Sequence, residues 1–247
     1  MKSTLKSWTG LGLGVALAGS ALAGCSGEAG EAGEAGAADN GMAASAGEGG
    51  EAGASLTDEQ RVAFMSGHVE AGLALYRAGE AEMAAPHLLH PVSETHASEQ
   101  EGLEEYGFDP AIFREVSAAL DAGRPASEIE PQLRAAQQNL RQVRDGVGGD
   151  AVAVVDYLMD MVIEEYGIAV SDGAVTDAGE YQDAWGFAKI ARERAEGIEG
   201  DAGAKVRDQL DTLIALWPDA APIPGDSPAP AGQVSGLASR VKLALPR

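Results

Sequence analysis

Cysteine is almost missing from this chain: there is one, Cys25, in 247 residues. A single thiol makes no internal disulfide and no Cys-rich zinc or iron–sulfur site, so a bound metal would have to use His, Asp, Glu or Tyr. Basic residues are also scarce, 17 against 39 acidic ones for a net charge of −22. With no local basic stripe, such a chain repels a phosphate backbone, which argues against nucleic acid as a partner. No apolar run reaches the roughly 20 residues of a membrane span, and alternating strand patterns bounded by turn residues are lacking. Common catalytic signatures are absent as well: there is no thiol after Cys25, no Gly-x-Ser-x-Gly, no His-Glu-x-x-His and no phosphate-cradling glycine loop. The expectation is a protein that is not an enzyme. Metal-dependent oxidation stays open, although the duplicated Glu-x-x-His pattern of di-iron bundles is not here.

What is present is unevenly distributed, since the first 55 residues hold 14 of the 33 glycines and leave about 192 residues to fold. Lys2 and Lys6 form a positive start, Leu11 to Ala18 an apolar stretch, and Leu22-Ala23-Gly24 leads into Cys25. This resembles a bacterial lipoprotein signal peptide over residues 1–24. The resemblance implies cleavage before Cys25 and acylation of its thiol, and Ser26 in the next position implies the outer membrane; the alternative is an ordinary secretory signal with a chance cysteine. From 26 to 55 the chain is almost all Gly, Ala, Ser and Glu, with Asp39, Asn40 and Met42 besides, too little for a core, and reads as a disordered tether. About 30 flexible residues reach roughly 30 Å. The remainder carries 33 acidic and 15 basic residues, a net charge of −18.

From 56 to 217 the punctuation is helical, with cap residues opening apolar-periodic segments and glycines closing several of them. Thr57 with Gln60 forms a capping box before a helix ending near Gly79. Asp109-Pro110 opens a helix toward Gly123. Ser127 with Glu130 reads as a second capping box, for a polar helix ending near Asp145-Gly146. Asp150 to Val170 is the most apolar segment and should lie centrally. Asp177 with Glu180 opens the next helix, and Val206, Leu210, Leu213 and Trp217 mark another. The fold class is therefore all-α, a bundle of about six helices. Residues 218–247 hold six of the eleven prolines and read as a strap, with a short last helix capped by Ser235 lying against the bundle.

All four histidines fall between positions 68 and 96. His87, His90 and Glu94 form His-x-x-His-x-x-x-Glu, a spacing that puts three ligands on one face of a regular helix. A neighbouring helix could add His68, and Pro91 would kink the second one. His96 points away from this face. A second candidate spans the turn 171–176: Glu165 and Glu180 are about equidistant from Gly173, so an antiparallel hairpin would bring them to one level, with Tyr166 and Tyr181 alongside and Asp183 three residues beyond Glu180. Facing carboxylates suit hard cations. For both groups the plainer alternative is structural, with histidines cross-linking helices, Glu180 serving the cap and Glu165 solvated.

The stretch Gly67-His68 to Tyr76, with His87, His90, Pro91 and Glu94, resembles exported helical proteins of bacteria. Glu165 to Tyr181 is similar to the periplasmic helical region of bacterial high-affinity iron permeases, and the imelysin-like iron-uptake lipoproteins are also similar. Together these stretches cover about 60 residues. The compact His-x-x-Glu motif of the imelysin-like group is replaced by His87-x-x-His90, and the permeases' Arg-Glu membrane helices are missing, so the resemblance does not extend to transport by this chain alone. It implies a periplasmic helical bundle connected with metal acquisition. Taken with the residues, the leading expectation is a lipid-anchored envelope protein that binds iron, or copper or zinc, through His68, His87, His90 and Glu94 as one ligand set, with Glu165 and Glu180 as a second set or the other half of the first, and an uptake permease or receptor as partner. The alternative is a structural or interaction lipoprotein without metal.

Overall fold

The computed structural model describes residues 56–93, 100–217 and 222–247. Cys25, the tether, Glu94 and His96 lie outside the described residues. Among the described residues the chain is all-α, with eight α-helices and a single pair of two-residue strands. Helix α1 (Asp58–Ala78) starts at the predicted box: Thr57 Oγ1 accepts from the Gln60 amide and Gln60 Oε1 accepts from the Thr57 amide. It stops at Gly79, whose φ of 92° is the left-handed conformation of a helix C-cap.

Helix α2 is short, Ala81–Leu89, and His90–Val92 continues it as a 3-10 turn. No continuous α-helix therefore carries His87 and His90 together. Pro91 removes the amide that would have bonded back into the last turn, so the backbone tightens instead. Helix α3 (Pro110–Asp121) begins as expected, with Asp109 accepting from the Ala111 amide.

The predicted box at Ser127 does not form. Helix α4 (Ala126–Val147) starts behind Pro125 with no side-chain cap, and Ile129 is non-helical (φ −116°, ψ 17°). Pro131, two residues on, cannot complete a regular first turn. Glu130 pairs with Arg77 of α1 instead.

Helix α5 (Ala151–Ala169) is capped by Asp150 and leads into a tight hairpin of β1 (Val170–Ser171) and β2 (Ala174–Val175). Asp172 and Gly173 both have positive φ, 52° and 79°, as a two-residue hairpin turn demands. Asp177 then caps α6 (Ala178–Arg194), accepting from the amides of Gly179 and Glu180. Helix α7 covers Gly200–Ile214. Helix α8 (Ala231–Ala244) starts behind Pro230, so Ser235 lies inside it rather than capping it.

Two apolar clusters hold these helices. One joins α5, α6, α7 and α8 around Leu158, Val162, Tyr166, Phe187, Leu210 and Val241. The other joins α1 to α4 around Met65, Leu73, Leu88, Phe113 and Leu133. Helix α1 contributes Ala63 and Ala71 to the first and Val62, Val69 and Leu75 to the second, and so runs between them. Helix α8 docks through Val234, Leu237, Ala238 and Val241. At about 1.5–3 kcal/mol for each large apolar side chain buried, that face outweighs its partly exposed ion pair, Lys242 to Asp160.

Glycines set the two closest crossings. A Cβ on Gly186 of α6 would lie 2.1 Å from the Gly67 carbonyl oxygen of α1. A Cβ on Gly72 would lie 2.9 Å from the His87 Cβ and 2.7 Å from the Leu88 Cγ. Helices α6 and α2 thus approach α1 at backbone distance, within five residues of His68 on either side.

Candidate metal centre

The first crossing places His68, next to Gly67, against Asp183, one turn before Gly186. The second brings His87 over from α2. His68 Nδ1 lies 2.7 Å and His87 Nδ1 2.9 Å from the same oxygen, Asp183 Oδ1. All three side chains are buried, and one ligand atom from each lies within 4.8 Å of the others. The two Nδ1–oxygen separations are near the 2.9 Å or so between adjacent ligands in an octahedral site with bonds of about 2.05 Å, and shorter than the roughly 3.3 Å of a tetrahedral one.

The surroundings define the tautomer of His87. Its Nε2 lies 2.7 Å from Gln182 Oε1, which only accepts, so Nε2 holds a proton and donates it. Gln182 in turn directs its amide nitrogen at Met83 Sδ, 3.4 Å away. A second partner of this kind orients a metal-binding imidazole and leaves its other nitrogen facing the cation. His68 differs, because its Nε2 is buried and has no hydrogen-bond partner. Leaving a buried polar group unpaired costs about 1–3 kcal/mol, which a purely structural imidazole would avoid. Phe64 and Phe187 meet the His68 ring edge-on, at centroid distances of 4.6 and 5.3 Å, and exclude water from it.

Burial alone would raise the pKa of Asp183, but the imidazoles of His68 and His87 outweigh it and hold the carboxyl well below the usual range. The site is thus a buried carboxylate between two nitrogen donors, a mixed donor set that suits iron, manganese or zinc better than a soft cuprous ion.

The sequence-derived residues divide into three groups. His68 and His87 meet as ligands would. His90 stacks on His68 (ring centroids 4.0 Å apart, planes within 15°) but belongs to the wall of the group rather than to its converging atoms. Glu94 lies outside the described residues, as does Cys25. Glu165 and Glu180 do meet across the hairpin and share a hydrogen bond, both buried, at 8 % and 3 % exposure. Burial, the Glu180 carboxyl and the charge of Asp183 push Glu165 up to about 10. Burial beside acidic neighbours thus favours the protonated form of Glu165. Neither glutamate is the solvated or merely capping acid of the plainer alternative.

The phenols do not join the pair: Tyr166 donates its hydroxyl to the Ala229 carbonyl at 2.9 Å, and both tyrosine rings pack on Trp217. Spacing grouped Asp183 with Glu180, three residues before it, and not with the histidines, and Gln182 was not singled out. Their one signal as site residues is polarity at inward positions of a helix whose inward residues from 184 on, such as Ala184, Trp185, Phe187, Ala188 and Ala191, are apolar.

No helix among the described residues is long and apolar enough to cross a membrane. The chain matches no curated protein and no solved structure. Residues 149–246 match the family model described as the iron permease-associated 4-helix bundle domain. The matched part covers α5 to α8 and supplies Asp183, Gln182, Glu165 and Glu180, whereas His68 and His87 come from the part before it. Helices α5 to α8 are thus similar to that four-helix bundle domain.

Proposed function

We propose that this chain is a metal-capture protein of the bacterial cell envelope, lipid-anchored at Cys25, with the outer membrane favoured, that binds iron and hands it to an uptake permease or receptor. The observation that carries this reading is the convergence of His68, His87 and Asp183 on a buried point with mixed nitrogen and oxygen donors. The iron permease-associated match over 149–246 supports iron as the cargo, ahead of copper or zinc. The domain's acidity adds a long-range attraction for cations. Titrating the full chain with Fe²⁺ under argon, and with Cu²⁺ and Zn²⁺, tests the site. Saturable binding that is lost in H68A/H87A supports it; binding that is absent, or unchanged in the double variant, overturns it.

One observation favours a second reading, a scaffold without metal. Asp183 already bridges the two imidazoles, and Gln182 already holds His87, so the group can act as a helix cross-link by itself. That reading expects no metal to bind with stoichiometry, and it expects H68A/H87A to lose only stability. The anchor is tested separately: the wild-type chain should take up labelled palmitate and sediment with membranes, and C25S should do neither.

A further inference from the structure

The two imidazoles of the site are held in place by different means. His87 is fixed at both ends, by Asp183 at Nδ1 and by Gln182 Oε1 at Nε2. His68 is fixed at one end only, through Nδ1, because its Nε2 has no hydrogen-bond partner. A ring bonded through a single nitrogen can still pivot about that bond, and a cation entering beside Asp183 would take the bond away. Packing must then set the plane of the His68 ring. Phe64 and Phe187 meet it edge-on, with planes 77° and 83° from its own. His90 instead lies flat against it, with ring centroids 4.0 Å apart and planes within 15°, whereas His87 is 6.3 Å away at 26°. A ring face at contact distance leaves the plane no room to turn. His90 is itself firmly seated: it is 3 % exposed, it meets the Phe64 ring at 5.7 Å, and it opens the 3-10 turn His90–Val92, where Pro91 restricts the backbone.

We propose that His90 is the positioning residue of His68: the face of its ring holds the His68 imidazole in the plane that turns Nδ1 toward Asp183 and the cation. The stack does for His68 what the Gln182 hydrogen bond does for His87. The converging ligand atoms are then those of His68, His87 and Asp183, and His90 acts through one of them rather than as a fourth. Its effect on metal affinity rests on the function proposed above, but its hold on the His68 ring does not, so the two can fail separately.

The test compares the full chain with His90→Phe, which keeps a flat ring without its nitrogens, and with His90→Ala, which removes the face; His90→Leu, which fills the space without a flat face, replaces the alanine if a thermal melt shows it unfolded. Two readouts are taken, the His68 ring proton resonances of the metal-free chain and the Fe²⁺ affinity by equilibrium dialysis under argon. One sharp, ring-shifted set of His68 resonances is expected in the wild-type chain and in His90→Phe, with the shift lost and the lines broadened in the variant without the face. Fe²⁺ should bind His90→Phe as it binds the wild type, and the faceless variant about tenfold more weakly, within the range for losing an orienting partner. Unchanged resonances and affinity without the face overturn the proposal. So does a His90→Phe as weak as His90→Ala, which would assign the effect to a ring nitrogen. No Fe²⁺ on the wild-type chain overturns the function proposed above, and the resonances alone then decide whether His90 holds the ring.

Discussion

Asp183 joins two histidines that are 19 residues apart in the chain and about a hundred residues before it, and the chemistry of the centre depends on that one carboxylate. Its neighbour Gln182 acts at one remove by fixing the proton of His87. Replacing Gln182 with Leu should keep the fold while weakening metal affinity by about 10–100-fold, the usual cost of losing such a partner; a competition titration against a chromophoric chelator reads it. Glu165 yields a different expectation. Its folded pKa, about 10, lies above the ordinary 4.5 of an unfolded glutamate. Between those values the folded chain holds a proton that the unfolded chain has lost. The stabilisation is complete below about pH 4.5 and is lost as pH rises toward 10, by at most about 1.4 kcal/mol per pH unit. The lowered pKa of Asp183 acts in the opposite sense, but only in acid below this window. The metal-free chain should thus melt at a lower temperature at about pH 8.5 than at about pH 5.5. The difference should shrink in E165Q, and an equal difference in wild type and variant would refute the assignment.

At the scale of elements, the site depends on how closely helices cross. Gly186→Ala would put a methyl 2.1 Å from a backbone oxygen of α1, where no side chain can swing aside. The helices must separate, and a loss of about 3 kcal/mol or more is expected in urea unfolding, with metal binding lost along with it. A change of under about 0.5 kcal/mol would show that the crossing is looser than described. The same scale shows what was legible in the sequence. Thr57, Asp109, Asp150 and Asp177 opened helices where expected, because a cap is a local device whose donors lie two or three residues away. The facing of Glu165 and Glu180 was legible for a similar reason: a short hairpin turn fixes its own register. Ser127 and Ser235 misled, because Pro131 distorts one first turn and the buried Val234 extends the other helix backward onto the core. His90 was placed with His87 by regular-helix spacing, and the interruption expected at Pro91 is the 3-10 turn His90–Val92, while Glu94 lies outside the described residues. Asp183 was legible as a neighbour of Glu180 but not as the partner of His68 and His87, which come from α1 and α2, because no spacing rule reaches across 95 or more residues.

For the whole molecule, the scarcity of basic residues acquires a use. A net charge of −18 over the foldable part surrounds a buried donor set with a negative field. Such fields speed the arrival of cations and are screened by salt over about 10 Å at 0.1 M. The association rate for Fe²⁺ or Mn²⁺, measured by stopped flow, should fall as ionic strength rises, while the dissociation rate from the buried site changes little. A salt-independent association rate would separate the charge from the function. The two apolar clusters share α1, so the histidines on the α1–α2 side and the acids on the α5–α6 side belong to different halves of the structure. The iron permease-associated match begins at residue 149, just before α5, and so takes in the acids but not the histidines.

The most direct measurement is an anomalous diffraction map from a crystal of the full chain grown with iron. A peak about 2.0–2.2 Å from a ring nitrogen of His68, a ring nitrogen of His87 and a carboxylate oxygen of Asp183 is the expected result. Iron found only on the acidic surface, with His68, His87 and Asp183 still bonded to one another, would contradict it.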